Sequence, residues 1–123
     1  MKTGTLGRMF WWVPFGQVPE MEATELAALC EGGSPPQILD VRTRREWRRS
    51  RIPKARHATF VSLKKQLPDL GLDKGRLVVA VCLTAHRSIP AVRLLRRVGF
   101  FDVCQLKGGM KAWWAAGLPT EGS

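Results

Sequence analysis

Runs of apolar residues alternate with amphipathic segments along most of the chain. Leu77–Val81 is apolar at every position, as expected for a strand buried on both faces of a parallel sheet. Gln37–Val41 and Phe101–Leu106 are two further strand-like runs, and Ala55–Phe60 predicts a shorter one. The pattern therefore predicts four strands, of which Leu77–Val81 is the central one.

Helical periodicity fills the intervals between these runs. Glycines end two of the helices, Gly32 after the first and Gly99 after the fourth. The predicted helices cover Met21–Cys30, Thr43–Arg49, Ser62–Leu67, Ser88–Val98 and Gly109–Ala116. Because strands and helices alternate, we expect an α/β domain with a parallel sheet between helix layers, and 123 residues fit one such domain.

The N-terminal segment is rich in aromatic residues. Met9–Phe15 follows basic residues, as in a signal peptide, but Pro14 interrupts it and no small-residue cleavage site follows. No apolar run reaches the roughly 20 residues of a membrane-spanning helix. We expect a cytoplasmic protein without a membrane partner, in which an extension (1–20) packs on a domain (21–123). Within the extension, Phe10–Trp12 is either an extra strand over the core or a dimer or partner surface.

The three cysteines are an odd number without a CxxC pair, which argues against a disulfide framework and a zinc site. We therefore predict no metal. Cys30 closes an amphipathic helix and Cys104 lies inside a strand-like run, so both are interpreted as buried apolar residues. Cys82 differs, because it comes directly after the central strand.

The formal net charge of +10 includes a dense basic run between Arg42 and Arg56. Such a surface speeds the encounter with small anions and also suits a nucleic acid or an acidic protein. A solvated helix face explains the run equally well. Charge alone is thus compatible with an anionic substrate but does not identify one.

The segment from Cys82 to Arg87 is the candidate catalytic loop. Sites in parallel sheets gather at the carboxyl ends of strands, and this loop joins such an end to a predicted helix at Ser88. A short loop of this kind turns backbone N–H groups inward, and the helix N-terminus and Arg87 add positive charge. These features favour a nucleophilic thiolate, although a cysteine at a strand end can also be merely packed.

Spacing separates two chemistries for this loop. Cysteine phosphatases carry Cys-x5-Arg, a loop wide enough to surround a phosphate, whereas Cys82 and Arg87 are spaced as Cys-x4-Arg. The shorter loop suits a single sulfur atom better than a phosphoryl group. An arsenate- or phosphate-handling enzyme is therefore the weaker alternative.

Three ordered segments resemble the signatures of the rhodanese family. Asp40–Ala55 resembles DVR…E(F/Y/W)…GHIPGA, Cys82–Ser88 resembles CxxGxRS, and Val98–Pro119 resembles GF..V..L.GG…AW..AGLP. The resemblance departs at two glycines of the pattern, where this chain has Lys54 and Ala85, and Ser50-Arg51 replaces Gly-His.

The resemblance implies a rhodanese-like five-stranded parallel sheet between helices, without a cofactor. It further implies a sulfurtransferase in which Cys82 takes a sulfane sulfur from thiosulfate or a similar anionic donor and passes it to a thiol or protein acceptor. A rhodanese-fold binding or sulfur-carrier module is the non-catalytic alternative. The loop residues implied to bind the substrate are Leu83, Thr84, Ala85, His86, Arg87 and Ser88.

The resemblance also implies that Asp40 and Arg42 support the site. A simpler interpretation of Arg42 is an ion pair with Glu46, four residues later on the same helix start. His86 is as consistent with an exposed loop residue as with donor binding, and His57 is interpreted as structural.

Overall fold

The computed structural model describes residues 18–123, in which strands and helices alternate. The strands are β1 (Glu20–Met21), β2 (Gln37–Asp40), β3 (Arg56–His57), β4 (Val78–Val81) and β5 (Val103–Leu106). The helices are α1 (Ala23–Cys30), α2 (Arg44–Arg49), α3 (Leu63–Gln66), followed by a 3-10 turn (Leu67–Asp69), then α4 (Ser88–Arg97) and α5 (Gly109–Ala115). The α/β class is thereby confirmed.

All five strands form one parallel sheet in the order β1-β5-β4-β2-β3. Asp40 at the end of β2 is in register with Val81 at the end of β4, so the carboxyl ends of these central strands coincide. The fifth strand is β1, which the hydrophobic pattern did not reveal. It consists of two residues, of which Glu20 is exposed and Met21 buried.

Two apolar clusters cover the faces of the sheet. On one face, Val78 and Ala80 pack with Leu95 and other residues of α4, and Cys82 belongs to this cluster. On the other face, Val79 and Val81 pack with residues that include Leu26 of α1 and Trp113 of α5. Adjacent residues of β4 thus pack against the helices on opposite faces of the sheet, which explains why the strand is apolar at every position.

Trp113 is buried while its neighbour Trp114 is exposed, so one of these adjacent tryptophans belongs to the core. Burial was predicted for two cysteines, and it is confirmed for Cys104. Cys104 is fully buried in β5, whereas Cys30 is only half-buried at the end of α1.

At the N-terminal side, Val18 is already part of the core and the Pro19 carbonyl accepts a hydrogen bond from the Gln105 amide. The interpretations of Met9–Phe15 and of the Phe10–Trp12 aromatic group fall outside the described residues. Among residues 18–123, every helix is too short to cross a bilayer.

Candidate functional site

Cys82 follows the last residue of β4 and is almost fully buried, with an exposed fraction of 1%. Its Sγ accepts a hydrogen bond from the Ala85 backbone N–H at 2.9 Å. The Ser88 hydroxyl lies 3.6 Å from the same sulfur, at the start of α4. The loop therefore folds back on the sulfur and directs one amide dipole at it.

This folding back depends on a left-handed residue in the loop. Ala85 has a φ of 78°, and within the described range Lys54 is the other non-glycine residue with positive φ, at 69°. At both of these positions the family pattern has glycine. The chain thus keeps the left-handed backbone at both positions without the residue that adopts it most easily.

The first turn of α4 leaves amide donors available near the sulfur. A helix lacks intrahelical partners for its first N–H groups, and here Pro90 has no N–H while Ile89 donates to the His86 carbonyl at 3.4 Å. Within the described part of the chain, no protein acceptor is found for the amides of Arg87 and Ser88. Both amides therefore keep a hydrogen-bond donor that the described residues do not use.

Arg87 forms a two-pronged ion pair with Glu46 of α2. Its Nη1 and Nη2 donate to the Glu46 carboxylate at 3.0 and 3.3 Å. Burial tends to raise the pKa of Glu46, but the hydrogen bonds from Arg87 and Thr43 outweigh it and lower that pKa from 4.5 to about 2. The hydrogen bond to Glu46 in turn raises the pKa of Arg87. The loop cation is therefore permanently charged and anchored to the neighbouring helix.

The expected pairing of Arg42 with Glu46 is wrong. Helix α2 begins only at Arg44, so Arg42 precedes the helix and the spacing of four residues does not place the two side chains together. Glu46 instead closes a capping box with Thr43, whose hydroxyl accepts from the Glu46 amide. The Thr-x-x-Glu spacing was the sequence signal for this arrangement.

Arg42 pairs with Asp40 instead, at the carboxyl end of β2. The Asp40 oxygens accept from Arg42 Nε at 2.9 and 3.1 Å and from its Nη2 at 2.6 Å, and each residue is 1% exposed. Arg42 Nη2 also donates to the Ser50 carbonyl, and His57 Nε2 lies 2.7 Å from the Arg42 carbonyl oxygen. This buried pair fixes the backbone of the strand beside Cys82.

A second set of polar side chains leads from the sulfur along one face of the sheet to the edge strand β1. Ser88 Oγ donates to Gln105 Oε1 at 2.6 Å, and Gln105 Nε2 donates to Glu20 Oε2 at 3.0 Å. Gln105 is 3% exposed on β5. Sequence reasoning missed Gln105 and Glu20; the signal for Gln105 was one uncharged polar residue in an otherwise apolar run.

The backbone at Cys82 is held by the start of α5. The Met110 amide donates to the Cys82 carbonyl at 2.8 Å and the Lys111 amide to the Leu83 carbonyl at 3.1 Å. A Cβ on Gly109 would lie 2.3 Å from the Cys82 carbonyl oxygen, so only glycine allows this approach.

The Leu83 side chain packs against the apolar cluster that contains Val79 and Val81, whereas the other loop side chains face outward. Thr84 and His86 are exposed, and Thr84 Oγ1 lies 2.9 Å from His86 Nδ1. Residues 18–123 contain no cluster of side chains suited to hold a metal ion. The chemistry that the described site offers is that of a thiol beside several amide donors and a guanidinium group.

Comparison with known proteins agrees with the fold. A family model described as a rhodanese-like domain matches residues 22–116. The solution structure of the rhodanese-like domain of the Alr3790 protein from Anabaena superposes with a TM-score of 0.77, at 36% identity over 85% of this chain and 80% of that one.

Curated relatives carry sulfurtransferase names. "Sulfurtransferase" of Allochromatium vinosum is 28% identical over 83% of this chain and 94% of its own length. "Adenylyltransferase and sulfurtransferase MOCS3-2" of maize (Zea mays) is 30% identical over 72% of this chain, and the matched segment is 20% of that much longer protein.

Proposed function

The chain belongs to the rhodanese-like domain family, and we propose that it is a sulfurtransferase that carries a sulfane sulfur as a persulfide on Cys82. The observation that supports this proposal best is the hydrogen bond from the Ala85 amide to Cys82 Sγ at 2.9 Å. An N–H donor directed at sulfur stabilises a thiolate, which is the nucleophilic form of cysteine.

In the first half-reaction, the Cys82 thiolate attacks the outer sulfur of thiosulfate or a similar anionic donor. A bond forms between the two sulfurs, the bond from the outer sulfur to the sulfonate breaks, and sulfite leaves with the electron pair. The enzyme retains a persulfide whose terminal sulfur carries the negative charge. This is covalent catalysis with an expected ping-pong kinetic pattern.

The loop amides supply the stabilisation that this intermediate needs. The terminal sulfur of a persulfide extends beyond Sγ, toward the amides between Leu83 and Ser88. Donors that are fixed before the reaction stabilise developing charge without reorganisation, as in an oxyanion hole. The amides of Arg87 and Ser88 suit this role, because the described residues provide no other acceptor for them.

Arg87 both binds the sulfur donor and anchors the loop to α2. The guanidinium has five N–H donors, and the two hydrogen bonds to Glu46 leave the others for the sulfonate end of the donor. The ion pair also lowers the net charge that Arg87 presents, so much of the attraction for the donor comes from the overall charge of +10.

In the second half-reaction, a thiol, cyanide or an acceptor protein attacks the terminal sulfur and releases the Cys82 thiolate. Asp40 and Arg42 support the site by fixing the end of β2, which is in register with the end of β4. We propose that the reaction needs no cofactor, because the nucleophile, the donors of hydrogen bonds and the cation all come from this chain.

The test is an intact-mass measurement after incubation with thiosulfate. The wild-type protein should gain one sulfur atom, cyanide should remove it, and Cys82→Ser should gain none. Cys30→Ser is the matched control, because it removes a half-buried thiol remote in sequence from the loop and should load like the wild type.

Other outcomes would replace the proposal. A protein that gains no sulfur from thiosulfate, glutathione persulfide or mercaptopyruvate would be a binding module of rhodanese fold. A protein that loads but never turns over with small acceptors would be a sulfur carrier. Cys82-dependent hydrolysis of an aryl phosphate without sulfur loading would indicate phosphate chemistry.

A further inference from the structure

A series of hydrogen bonds links four side chains, those of Cys82, Ser88, Gln105 and Glu20. The chemistry of these groups fixes which of them donate and which accept. An ionised carboxylate only accepts hydrogen bonds, so Glu20 must face the amide nitrogen of Gln105, as it does at 3.0 Å. The amide oxygen of Gln105 then faces Ser88 and accepts a hydrogen bond from its hydroxyl at 2.6 Å. This bond uses the only hydroxyl hydrogen that Ser88 has. Ser88 is left with lone pairs toward Cys82 Sγ.

This direction matters for the ionisation of the sulfur. A hydroxyl that already donates its hydrogen bond elsewhere can accept a hydrogen bond from a thiol but cannot donate one to a thiolate. To donate to the thiolate, Ser88 must turn its proton away from Gln105, which leaves a buried amide oxygen without its partner. The series of hydrogen bonds therefore favours the protonated cysteine and opposes the effect of the Ala85 amide.

We propose that Gln105, oriented by Glu20, is a positioning residue that turns the Ser88 hydroxyl away from Cys82 and so sets the pH range in which that sulfur is reactive. This inference deepens the proposed function and rests on it for its biological meaning. In physical terms, the exposed Glu20 carboxylate controls the nucleophile through two intervening side chains.

The other charged groups near the sulfur do not take part in this series of hydrogen bonds, so a break in the series leaves them unchanged. They are the Arg87–Glu46 ion pair from the loop and α2, and the Asp40–Arg42 pair from the end of β2. His86 is exposed on the loop and interacts with Thr84. A change that follows substitution of Glu20 or Gln105 can therefore be assigned to Ser88 if it disappears when the hydroxyl is removed.

The experiment measures the rate at which iodoacetamide alkylates Cys82 as a function of pH, using the full chain. Glu20→Ala removes the acceptor, so the Gln105 amide can turn its NH2 toward Ser88 and release the hydroxyl proton to the sulfur. A hydrogen bond to the charged form favours that form. We expect the alkylation profile to move to lower pH and the rate below its midpoint to rise about three- to tenfold, the size expected for one charge-assisted hydrogen bond partly offset by rearrangement.

Glu22→Ala is the matched control. Glu22 is also an exposed carboxylate beside β1, but it pairs with Lys107 at 3.2 Å rather than with Gln105. It should leave the alkylation profile unchanged, which excludes a general effect of removing one negative charge. In a Ser88→Ala background, Glu20→Ala should lose its effect.

Three results would overturn the inference: an alkylation rate of Glu20→Ala within twofold of the wild type, an equal effect of Glu22→Ala, or an equal effect in the Ser88→Ala background. Gln105→Leu, with its fold checked by denaturant unfolding, should reproduce the Glu20→Ala profile. Alkylation does not require sulfur transfer, so a protein that shows these shifts but gains no sulfur from any donor would refute the proposed function and leave the inference standing.

Discussion

Glycine at position 85 should make the protein more stable and leave its reactive loop in place. Ala85 has a φ of 78°, a conformation that brings the Cβ of an L-residue close to its own backbone. The same conformation directs the Ala85 amide at Cys82 Sγ. Ala85→Gly removes the Cβ and keeps the amide, so it separates backbone strain from the hydrogen bond.

The expected size of the effect follows from two opposing terms. A left-handed conformation costs an alanine about 1–2 kcal/mol, which glycine recovers. Glycine also gives the unfolded chain more freedom, which costs about 0.4–1 kcal/mol. The difference predicts that the free energy of unfolding rises by about 0.8 kcal/mol, equivalent to a Tm increase of about 3 °C for a chain of 123 residues.

Urea unfolding at pH 7 measures this change, and an unaltered m-value shows that the two states expose the same surface. Lys54→Gly is the matched control, because Lys54 is exposed and has a φ of 69° but lies outside the catalytic loop. It should gain a similar amount of stability. Both variants should transfer sulfur within about threefold of the wild-type rate, a change below 1 kcal/mol in the barrier.

The reasoning would be refuted if Ala85→Gly lowered the free energy of unfolding while Lys54→Gly raised it. That result would mean that the Ala85 methyl group contributes more by packing than it costs by its conformation. Ala85→Val extends the test in the opposite direction, since a β-branched residue fits the left-handed region worst and should reduce both stability and sulfur loading.

Three further substitutions test other parts of the site. Glu46→Gln should lower the free energy of unfolding by about 1 kcal/mol at pH 7, a figure kept small because the ion pair is partly exposed. Since the folded-state pKa of Glu46 is lowered, its contribution is complete above pH 4.5 and fades as the pH falls toward 2, so urea midpoints of wild type and variant should converge across that interval. Arg42→Met leaves the buried Asp40 charge without its partner and should cost about 3–5 kcal/mol, which thermal unfolding would detect. Gly109→Ala should destabilise far more than Gly117→Ala, because both have positive φ but only the first meets backbone atoms; equal unfolding midpoints would contradict this explanation.

The main strands and helices could be predicted because each has a continuous local pattern. Val78–Val81 is buried on both faces and its sequence is apolar throughout. Strand β1 could not be predicted, because a two-residue strand has no periodicity and exists only through its pairing with β5, far along the chain. Local patterns reveal local structure, and β1 is defined by a distant partner.

In the candidate catalytic loop, too, the local features could be predicted from the sequence and the distant partners could not. The position of Cys82 after a strand and before a helix predicts a turn whose backbone N–H groups face inward, and the family pattern marks position 85 as a glycine site. The direction of the hydrogen bonds around the sulfur depends on Gln105 and Glu20, which come from two other strands. No spacing within the loop contains that information.

The error at Arg42 has a physical cause as well. A spacing of four residues brings side chains together only inside a helix, and α2 starts after Arg42. The neighbouring Asp40 then offers a shorter and fully buried partner. The predicted helix Thr43–Arg49 already excluded Arg42, and a capping box read from Thr43 would have assigned Glu46 to the helix cap and avoided the wrong pair.

The anchoring of the Cys82 and Leu83 carbonyls by amides of α5 has a consequence for the timing of activity. During synthesis Cys82 leaves the ribosome before α5 does. In the nascent chain, the backbone around this cysteine is therefore not yet held by the α5 amides. For the proposed sulfurtransferase, the geometry of the loop is complete only once α5 has docked, because its amides hold the two loop carbonyls. A chain in which α5 is not docked would lack this support, and we expect it to be inactive in the proposed reaction even where its sheet is formed.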